Sequence, residues 1–129
     1  MPSNEQYLAA LKRDTSYNPG NKKAYHNAAK TLLRRIQRQL EGYGQSDPVR
    51  SNQGGIAVSG EITLHYDHLY IQVSQTGLRD SNGVMFRTCD SRKDYSGHQN
   101  NFCDYDTLAD PDAFCALVAR RCKAPVQSR

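Results

Sequence analysis

The spacing of apolar residues changes partway along this chain, and that change constrains its fold class most strongly. Over residues 21–41 apolar side chains recur every three or four positions, as on one face of an α-helix. After Gly54 and Gly55 apolar and polar residues alternate, which is typical of a half-buried β-strand. Helices followed by strands, rather than interleaved with them, predict an α+β protein.

Three helices are predicted. A short first helix ends at the sequence Asn-Pro-Gly of residues 18–20, which breaks the run. The second helix, over residues 21–41, has one apolar stripe and ends at Gly42. The last helix begins with Asp110 as its cap and Pro111 at its first position. The stripe of the second helix consists of Tyr25, Ala28, Ala29, Leu32, Leu33, Ile36 and Leu40.

Three strands joined by short turns are predicted between residue 55 and residue 89, forming an antiparallel meander. We place a bend at Gly60 in the first strand and expect that a short fourth strand lies around residues 101–103. The helices should pack on one face of this sheet. The apolar positions are Ile56, Val58, Ile62 and Leu64 in the first strand, Leu69, Ile71 and Val73 in the second, and Val84 and Phe86 in the third.

With 129 residues the chain has room for one domain, and its core should be lean. Hydrophobic residues make up 37% of the sequence and tryptophan is absent. The eight tyrosines should therefore supply much of the buried area, each with its hydroxyl near water or a partner. The segments of the domain, 1–129, are a helical basic part (1–42), a connector (43–54), the meander (55–89), a polar loop (90–106) and the C-terminal helix (107–124).

Membrane and metal chemistry are not expected. No stretch approaches the ~18 apolar residues of a membrane helix, and the N-terminus lacks the pattern of a signal peptide. We therefore expect a cytoplasmic protein with no membrane partner. The four cysteines lack the two-residue spacer of a zinc ribbon, and seven helical residues hold Cys115 and Cys122 too far apart for a disulfide. We expect neither a metal nor a cofactor.

Positive charge is concentrated in the N-terminal part of the chain. Residues 1–41 hold eight Lys and Arg against three acids, whereas residues 42–129 hold nine against ten. On the second helix four cations fall opposite the apolar stripe and form what we call the basic ridge. One interpretation is a surface that follows a phosphate backbone or an acidic protein groove, and the other is an ordinary solvated helix back. The basic ridge consists of Lys23, Lys30, Arg34 and Arg38.

The polar loop and the strand before it form a second candidate binding surface. Arginine and lysine donate hydrogen bonds to phosphate or carboxylate groups, and a tyrosine can stack on a base. The alternative is that these side chains pair with one another and order a long loop. The candidate residues are Arg87, Arg92, Lys93, Tyr95, Asn100 and Asn101.

A catalytic alternative rests on Glu61, His65, Arg87 and His98, which could gather at one surface of the sheet. A glutamate base, a histidine acid and an arginine suffice for a metal-independent ribonuclease, because RNA carries its own 2′-hydroxyl nucleophile. A single histidine on a strand more often has a structural role.

Several stretches of the sequence resemble small accessory proteins of bacterial phages and plasmids. They are RSNQGGIAVSGE at residues 50–61, YIQVSQ at 70–75, FRTC at 86–89, RKDYSG at 92–97 and NNF at 100–102. That group has no assigned activity, but mobile-element proteins of this size often inhibit host defence, as anti-CRISPR or anti-restriction factors do, or bind nucleic acid. The polar loop lies inside the resembling region, and the basic ridge lies outside it.

We therefore favour a non-enzymatic binding protein of a mobile genetic element over an enzyme. Its partner would be anionic, either a nucleic acid or a host complex that binds nucleic acid, and it would occupy a nucleic-acid path or a nucleoprotein surface. The small ribonuclease remains the alternative.

Overall fold

A computed structural model describes residues 4–75, 83–89 and 99–122, and within them four α-helices, one 3₁₀ helix and five β-strands. In chain order these are α1 (Asn4–Lys12), α2 (Pro19–Ile36), the 3₁₀ helix (Arg38–Tyr43), β1 (Arg50–Asn52), β2 (Glu61–His65), β3 (Leu69–Val73), β4 (Gly83–Thr88), β5 (Asn101–Asp104), α3 (Tyr105–Leu108) and α4 (Pro111–Arg121).

The five strands form one antiparallel sheet in the order β1-β2-β3-β4-β5, so each strand pairs with its neighbours in sequence. This confirms the α+β class and the antiparallel meander. The sheet is wider than the three predicted strands because β1 and β5 extend its two edges. β5 is the short strand expected around residues 101–103, and β1 lies inside the segment that was predicted to be a connector.

One face of the sheet is apolar and is covered by helices. Ile62 lies opposite Val73, and Ile71 lies opposite Phe86, so alternate positions on neighbouring strands place their side chains on the same face. These residues share a core with the apolar stripe of α2. From α4, Phe114 packs its ring edge against Phe86 at 5.7 Å between centroids. The C-terminal helix therefore lies on the same face as α2, as predicted.

Helix α2 begins and ends earlier than predicted. The Asn18 side chain accepts a hydrogen bond from the backbone N–H of Asn21, and Pro19 occupies the first turn, so the residues read as a helix breaker also start the next helix. The α-helix ends at Ile36, and a 3₁₀ helix follows it. Its tighter winding keeps both Leu40 and Tyr43, three residues apart, in the core.

The prediction that a strand begins at Ile56 is wrong. Ile56 and Val58 are 59% and 37% exposed and belong to a loop, residues 53–60, that connects β1 to β2. The reason is the backbone at Gly60, whose φ of 70° favours glycine. A Cβ at Gly60 would lie 2.1 Å from the carbonyl oxygen of Asn52, so the backbone at Gly60 packs directly against the end of β1. The alternating apolar residues before Gly60 therefore never pair with the sheet.

Buried tyrosines contribute to the lean core, as the composition predicted. The hydroxyls of Tyr25 and Tyr105 lie 2.9 Å apart, and Tyr105 donates to the backbone carbonyl of Ser74 at 3.2 Å. Tyr66 donates to the carbonyl of Gln37 at 2.5 Å. Each buried hydroxyl thus has a partner, which removes the cost of burying it unsatisfied. The buried tyrosines of the core are Tyr25, Tyr43, Tyr66 and Tyr105.

The side chain of Gln75 joins the end of β3 to the chain between α1 and α2. Its Nε2 donates to the carbonyls of Leu11 at 2.9 Å and Arg13 at 2.6 Å. Its Oε1 accepts from the hydroxyl of Thr15 at 2.9 Å and from its backbone N–H at 3.3 Å. This one amide therefore fixes where the chain leaves α1 and approaches α2.

We expect Gln75→Ala to lower the free energy of unfolding by about 2–3 kcal/mol, because it leaves several backbone groups without their partner. Urea unfolding followed by circular dichroism measures the change. The matched control is Gln72→Ala on β3, where the side chain accepts one hydrogen bond from Tyr70, and the expected loss is below about 1 kcal/mol. Equal losses in the two variants would contradict the role given to Gln75.

Candidate functional site

A groove with a volume of about 450 Å³ lies between α2 and loop 53–60. Its helical wall consists of residues spaced three or four positions apart, from Pro19 to Lys30, so it follows one face of α2 for roughly 16 Å. We call it the α2 groove. It is lined by Thr15, Pro19, Lys22, Lys23, His26, Asn27, Lys30, Gln53, Gly54 and Ile56, and none of these is acidic.

Two buried side chains of α2 attach loop 53–60 to the helix. The ammonium group of Lys22, a residue only 9% exposed, donates to the carbonyl of Gly55 at 2.9 Å. The ring of His26, 2% exposed, contacts the carbonyl of Ser59 through Nε2 at 2.7 Å. A carbonyl oxygen only accepts, so Nε2 carries the proton in this contact. The loop therefore forms one wall of the groove because these two residues hold it there.

The second ring nitrogen of His26, Nδ1, is buried and has no hydrogen-bond partner among the described residues. Burial lowers the pKa of His26 below its usual value of about 6.5, and the charges of Lys22 and Lys30 lower it further, whereas the bond to Ser59 raises it. The ring is therefore neutral at pH 7, with a proton on Nε2 and a lone pair on Nδ1.

Exposed hydrophobic side chains cluster beside the α2 groove. Tyr17 is 70% exposed, and its backbone N–H donates to the carbonyl of Ile56 at 2.8 Å. The described segments expose four large hydrophobic residues, and three of them, Tyr17, Ile56 and Val58, lie at or next to loop 53–60. The fourth is Phe102 on β5. Tyr17 also has a φ of 55°, a left-handed conformation that aromatic residues rarely adopt. A strained backbone thus presents an aromatic ring to solvent next to a cationic groove.

Three residues of the basic ridge lie on α2. Lys23 and Lys30 line the groove, and Arg34 follows one turn later and is exposed. Arg38 lies on the 3₁₀ helix and lines a different depression, together with the carboxylates of Glu41 and Asp67. Within residues 4–75, 83–89 and 99–122, no ridge cation forms a salt bridge; the ion pair found there joins Lys12 to Asp106 at 2.8 Å.

The second candidate surface lies on the other side of the sheet. Arg92, Lys93 and Tyr95 fall outside the described residues. Arg87 donates to the side chain of Asn100 at 3.0 Å, and because it follows the core residue Phe86 on a strand, it points away from the helices. The groove and the Arg87–Asn100 pair therefore do not share a face.

Asn101 has a structural role within the described residues. Its side chain donates to the carbonyls of Phe86 and Gln99, at 3.4 and 3.3 Å, at the start of β5. These contacts fit the interpretation that the asparagines of this region order the chain.

The residues of the ribonuclease hypothesis are only partly brought together. His65 and Arg87 both pair with Tyr70 in the strand register, and the rings of His65 and Tyr70 lie 5.2 Å apart. Glu61 is four residues from His65 on the same strand, roughly 13 Å away along the backbone. A general base must reach the same substrate atoms as the general acid, which this spacing disfavours. His98 falls outside the described residues.

The sequence reasoning missed Tyr17, Lys22, His26 and Ile56. Lys22, His26 and Lys30 recur at intervals of four, a signal that could have placed them on one face between the apolar stripe and the basic ridge. Tyr17 was counted among the core tyrosines, and Ile56 was assigned to a strand. Nothing in the local sequence shows that loop 53–60 folds onto α2.

The cysteines of the described residues are free thiols. Burial raises the pKa of Cys103 to about 12 and that of Cys122 to about 11, so both are protonated and poor nucleophiles at pH 7. In the same part of the chain no three His, Cys, Asp or Glu residues converge in a way that could hold a metal ion. No described helix is both long and apolar enough to cross a membrane.

Comparison with protein-family models, with curated proteins and with solved structures finds no match for this chain. The resemblance to phage and plasmid accessory proteins therefore stays a prediction from the sequence.

The neutral state of His26 gives a prediction for stability against pH. Its pKa in the folded protein is lower than in the unfolded chain, so the unfolded state takes up the extra proton and stability falls as the pH drops below about 6.5. We expect His26→Gln, whose amide keeps a donor for the Ser59 carbonyl, to lose less stability than the wild type between pH 7 and pH 5. Urea unfolding at several pH values measures this.

If the wild type and His26→Gln lost stability in parallel, His26 would not be buried in its neutral form.

Proposed function

We propose that this protein binds a single-stranded nucleic acid along the α2 groove, without chemically changing it. The observation that carries the proposal is a groove lined by three lysines and a histidine, with no acid among its lining residues, beside an exposed aromatic ring. This combination of phosphate-binding cations and a stacking platform is typical of proteins that bind single strands.

The charge of the groove supports an anionic ligand. Lys23 and Lys30 line it without a salt bridge to any described carboxylate, and Arg34 extends the row by one turn. On an ordinary solvated helix, acids alternate with bases and neutralise them. Here the cations keep their charge available, and binding would release counterions from the phosphate backbone.

The exposed tyrosine supports a single strand over a duplex. In the sequence Tyr17 lies between Thr15 and Pro19, which both line the groove, and the residue is 70% exposed. An aromatic side chain can stack on a base only when that base is unstacked from its neighbours, as in a single strand. Ile56 adds apolar surface on the opposite wall, next to Gly54, where the backbone also lines the groove.

An acidic protein groove would match the same charges, and it is the other outcome of the experiments below. The role in a mobile genetic element, the anti-defence activity and the cytoplasmic location remain predictions that come from the sequence alone. The ribonuclease has no observation in its favour beyond the proximity of His65 and Arg87 to Tyr70.

Reversing the cations along α2 should abolish binding. We expect the triple variant Lys23→Glu, Lys30→Glu, Arg34→Glu to lose at least ~100-fold in affinity for a fluorescent single-stranded oligonucleotide at moderate salt. The slope of log affinity against log salt should decrease by about 2, because three phosphate contacts are removed. Fluorescence anisotropy at several salt concentrations measures both quantities.

The control reverses three exposed cations elsewhere, Arg13, Arg120 and Arg121, and changes the net charge by the same amount. It should retain most of the affinity. Equal losses in the two triple variants would mean that only overall charge matters and would remove the α2 groove as the interface. Binding to an acidic protein but to no oligonucleotide would replace the nucleic acid by a protein partner.

Removing the aromatic ring should weaken binding without changing its salt dependence. We expect Tyr17→Ala to cost about 1–3 kcal/mol of binding free energy, the range found for stacking of one base. Tyr17→Phe should bind like the wild type, because the ring and not the hydroxyl stacks. The control Phe102→Ala removes the aromatic ring of a residue on β5 that is 42% exposed, and it should have no effect. A Tyr17→Ala variant with unchanged affinity would exclude stacking at this position.

A further inference from the structure

Two nearly buried residues on the helical wall of the α2 groove, Lys22 and His26, are only partly paired within the described residues. Lys22 is 9% exposed, and its ammonium group, which has three N–H donors, donates to the carbonyl of Gly55. No described carboxylate forms a salt bridge with it. Nδ1 of His26, one turn further along α2, is buried with no hydrogen-bond partner in the part of the chain that the structure describes.

A buried ring nitrogen is normally compensated by a hydrogen bond, so the unpaired Nδ1 of His26 is costly in the free protein. The positive charge of Lys22, on the same wall of the groove, has no opposite charge beside it among the described residues. A ligand that supplied negative charge to Lys22 and a hydrogen bond to His26 would satisfy both groups at once. Lys23 and Lys30, on the same wall, would add further positive charge.

A phosphomonoester has the chemistry that this pair of groups needs. It carries about −1.5 to −2 charges at pH 7, and its three terminal oxygens can accept from several donors at once. Its second pKa lies near 6, so a proton can reside on one of its oxygens or on a neighbouring imidazole. An internal phosphodiester carries one charge and has no oxygen that binds a proton at neutral pH.

We propose that the part of the α2 groove around Lys22 and His26 is a binding site for a phosphomonoester, and that binding takes up one proton. The proton comes from solvent and is shared between Nδ1 of His26 and a phosphate oxygen, while Nε2 keeps its bond to Ser59. No bond to phosphorus or carbon forms or breaks. The site shares the groove with the proposed function, and it rests on that function only for the identity of the molecule that carries the phosphate.

The groups around the ring set the direction of the coupling. On α2, the positive charges of Lys22 and Lys30 disfavour protonation of the His26 ring. The ring centroids of Tyr25 and His26 are 6.0 Å apart. Loop 53–60, which packs against the ring, contributes no ionisable side chain. A bound dianion would offset the two lysines, so it would favour the protonated ring that the free protein disfavours.

The test begins with inorganic phosphate as the probe, at constant ionic strength with sodium chloride. Long-range ¹H–¹⁵N NMR spectra of the histidine rings should show a saturable change at Nδ1 of His26. Calorimetry in buffers of different ionisation enthalpy should show uptake of up to one proton at pH 7 to 8. His26→Gln, which keeps a donor to Ser59 and lacks the second nitrogen, should bind phosphate at least ~10-fold more weakly and without proton uptake. The control His68→Gln should behave like the wild type.

Two oligonucleotides of one sequence, with a 5′-phosphate and with a 5′-hydroxyl, identify the source of the phosphate. Tighter binding of the 5′-phosphate form, lost in His26→Gln, supports the site and assigns it to the end of a nucleic acid. Equal binding of both, together with saturable phosphate binding and proton uptake, supports the site with a small phosphomonoester as its ligand.

The proposal is overturned if inorganic phosphate produces no saturable change at the His26 ring, or binds without taking up a proton. The proposed function fails separately, if neither oligonucleotide binds while inorganic phosphate does.

Discussion

The packing of α2 against the sheet is the interaction on which the other features of this protein depend. The helix places residues from Tyr25 to Ile36 in the core, and their partners include Ile62 and Ile71 on the sheet. Because core residues occupy that face of the helix, the lysines and the histidine of the same helix must lie beside it or on the opposite face. The sheet thus fixes the direction in which α2 presents its charge.

The second requirement of the site is loop 53–60, which turns one face of a helix into a groove. The close approach of Gly60 to Asn52 returns the chain to the sheet after the loop, and the contacts of Lys22 and His26 hold the loop against α2. Lys22 and His26 therefore hold the loop in place, although both residues are nearly buried and only partly hydrogen-bonded within the described residues. These unsatisfied polar groups distinguish the α2 groove from an ordinary charged helix surface.

The sequence was sufficient for the features set by local periodicity. The helical stripe, the alternation in β2, β3 and β4, the cap at Asp110 and the position of β5 all follow from neighbouring residues. The cap at Asn18 was missed, because the sequence Asn-Pro-Gly was interpreted only as a helix breaker. The prediction of a strand from Ile56 was wrong, because the close approach of Gly60 to the backbone of Asn52 keeps the alternating apolar residues before it out of the sheet.

The groove could not be predicted, since it depends on a contact between segments about 30 residues apart, such as Lys22 and Gly55. Two residues of the predicted basic ridge, Lys23 and Lys30, do line the groove.

The most direct test of the binding surface is a ¹H–¹⁵N chemical-shift titration with an unlabelled single-stranded oligonucleotide. The account predicts the largest changes at Tyr17, along residues 22–30 and in loop 53–60. Changes centred on His65, Tyr70 and Arg87, or none at saturating oligonucleotide, would contradict it.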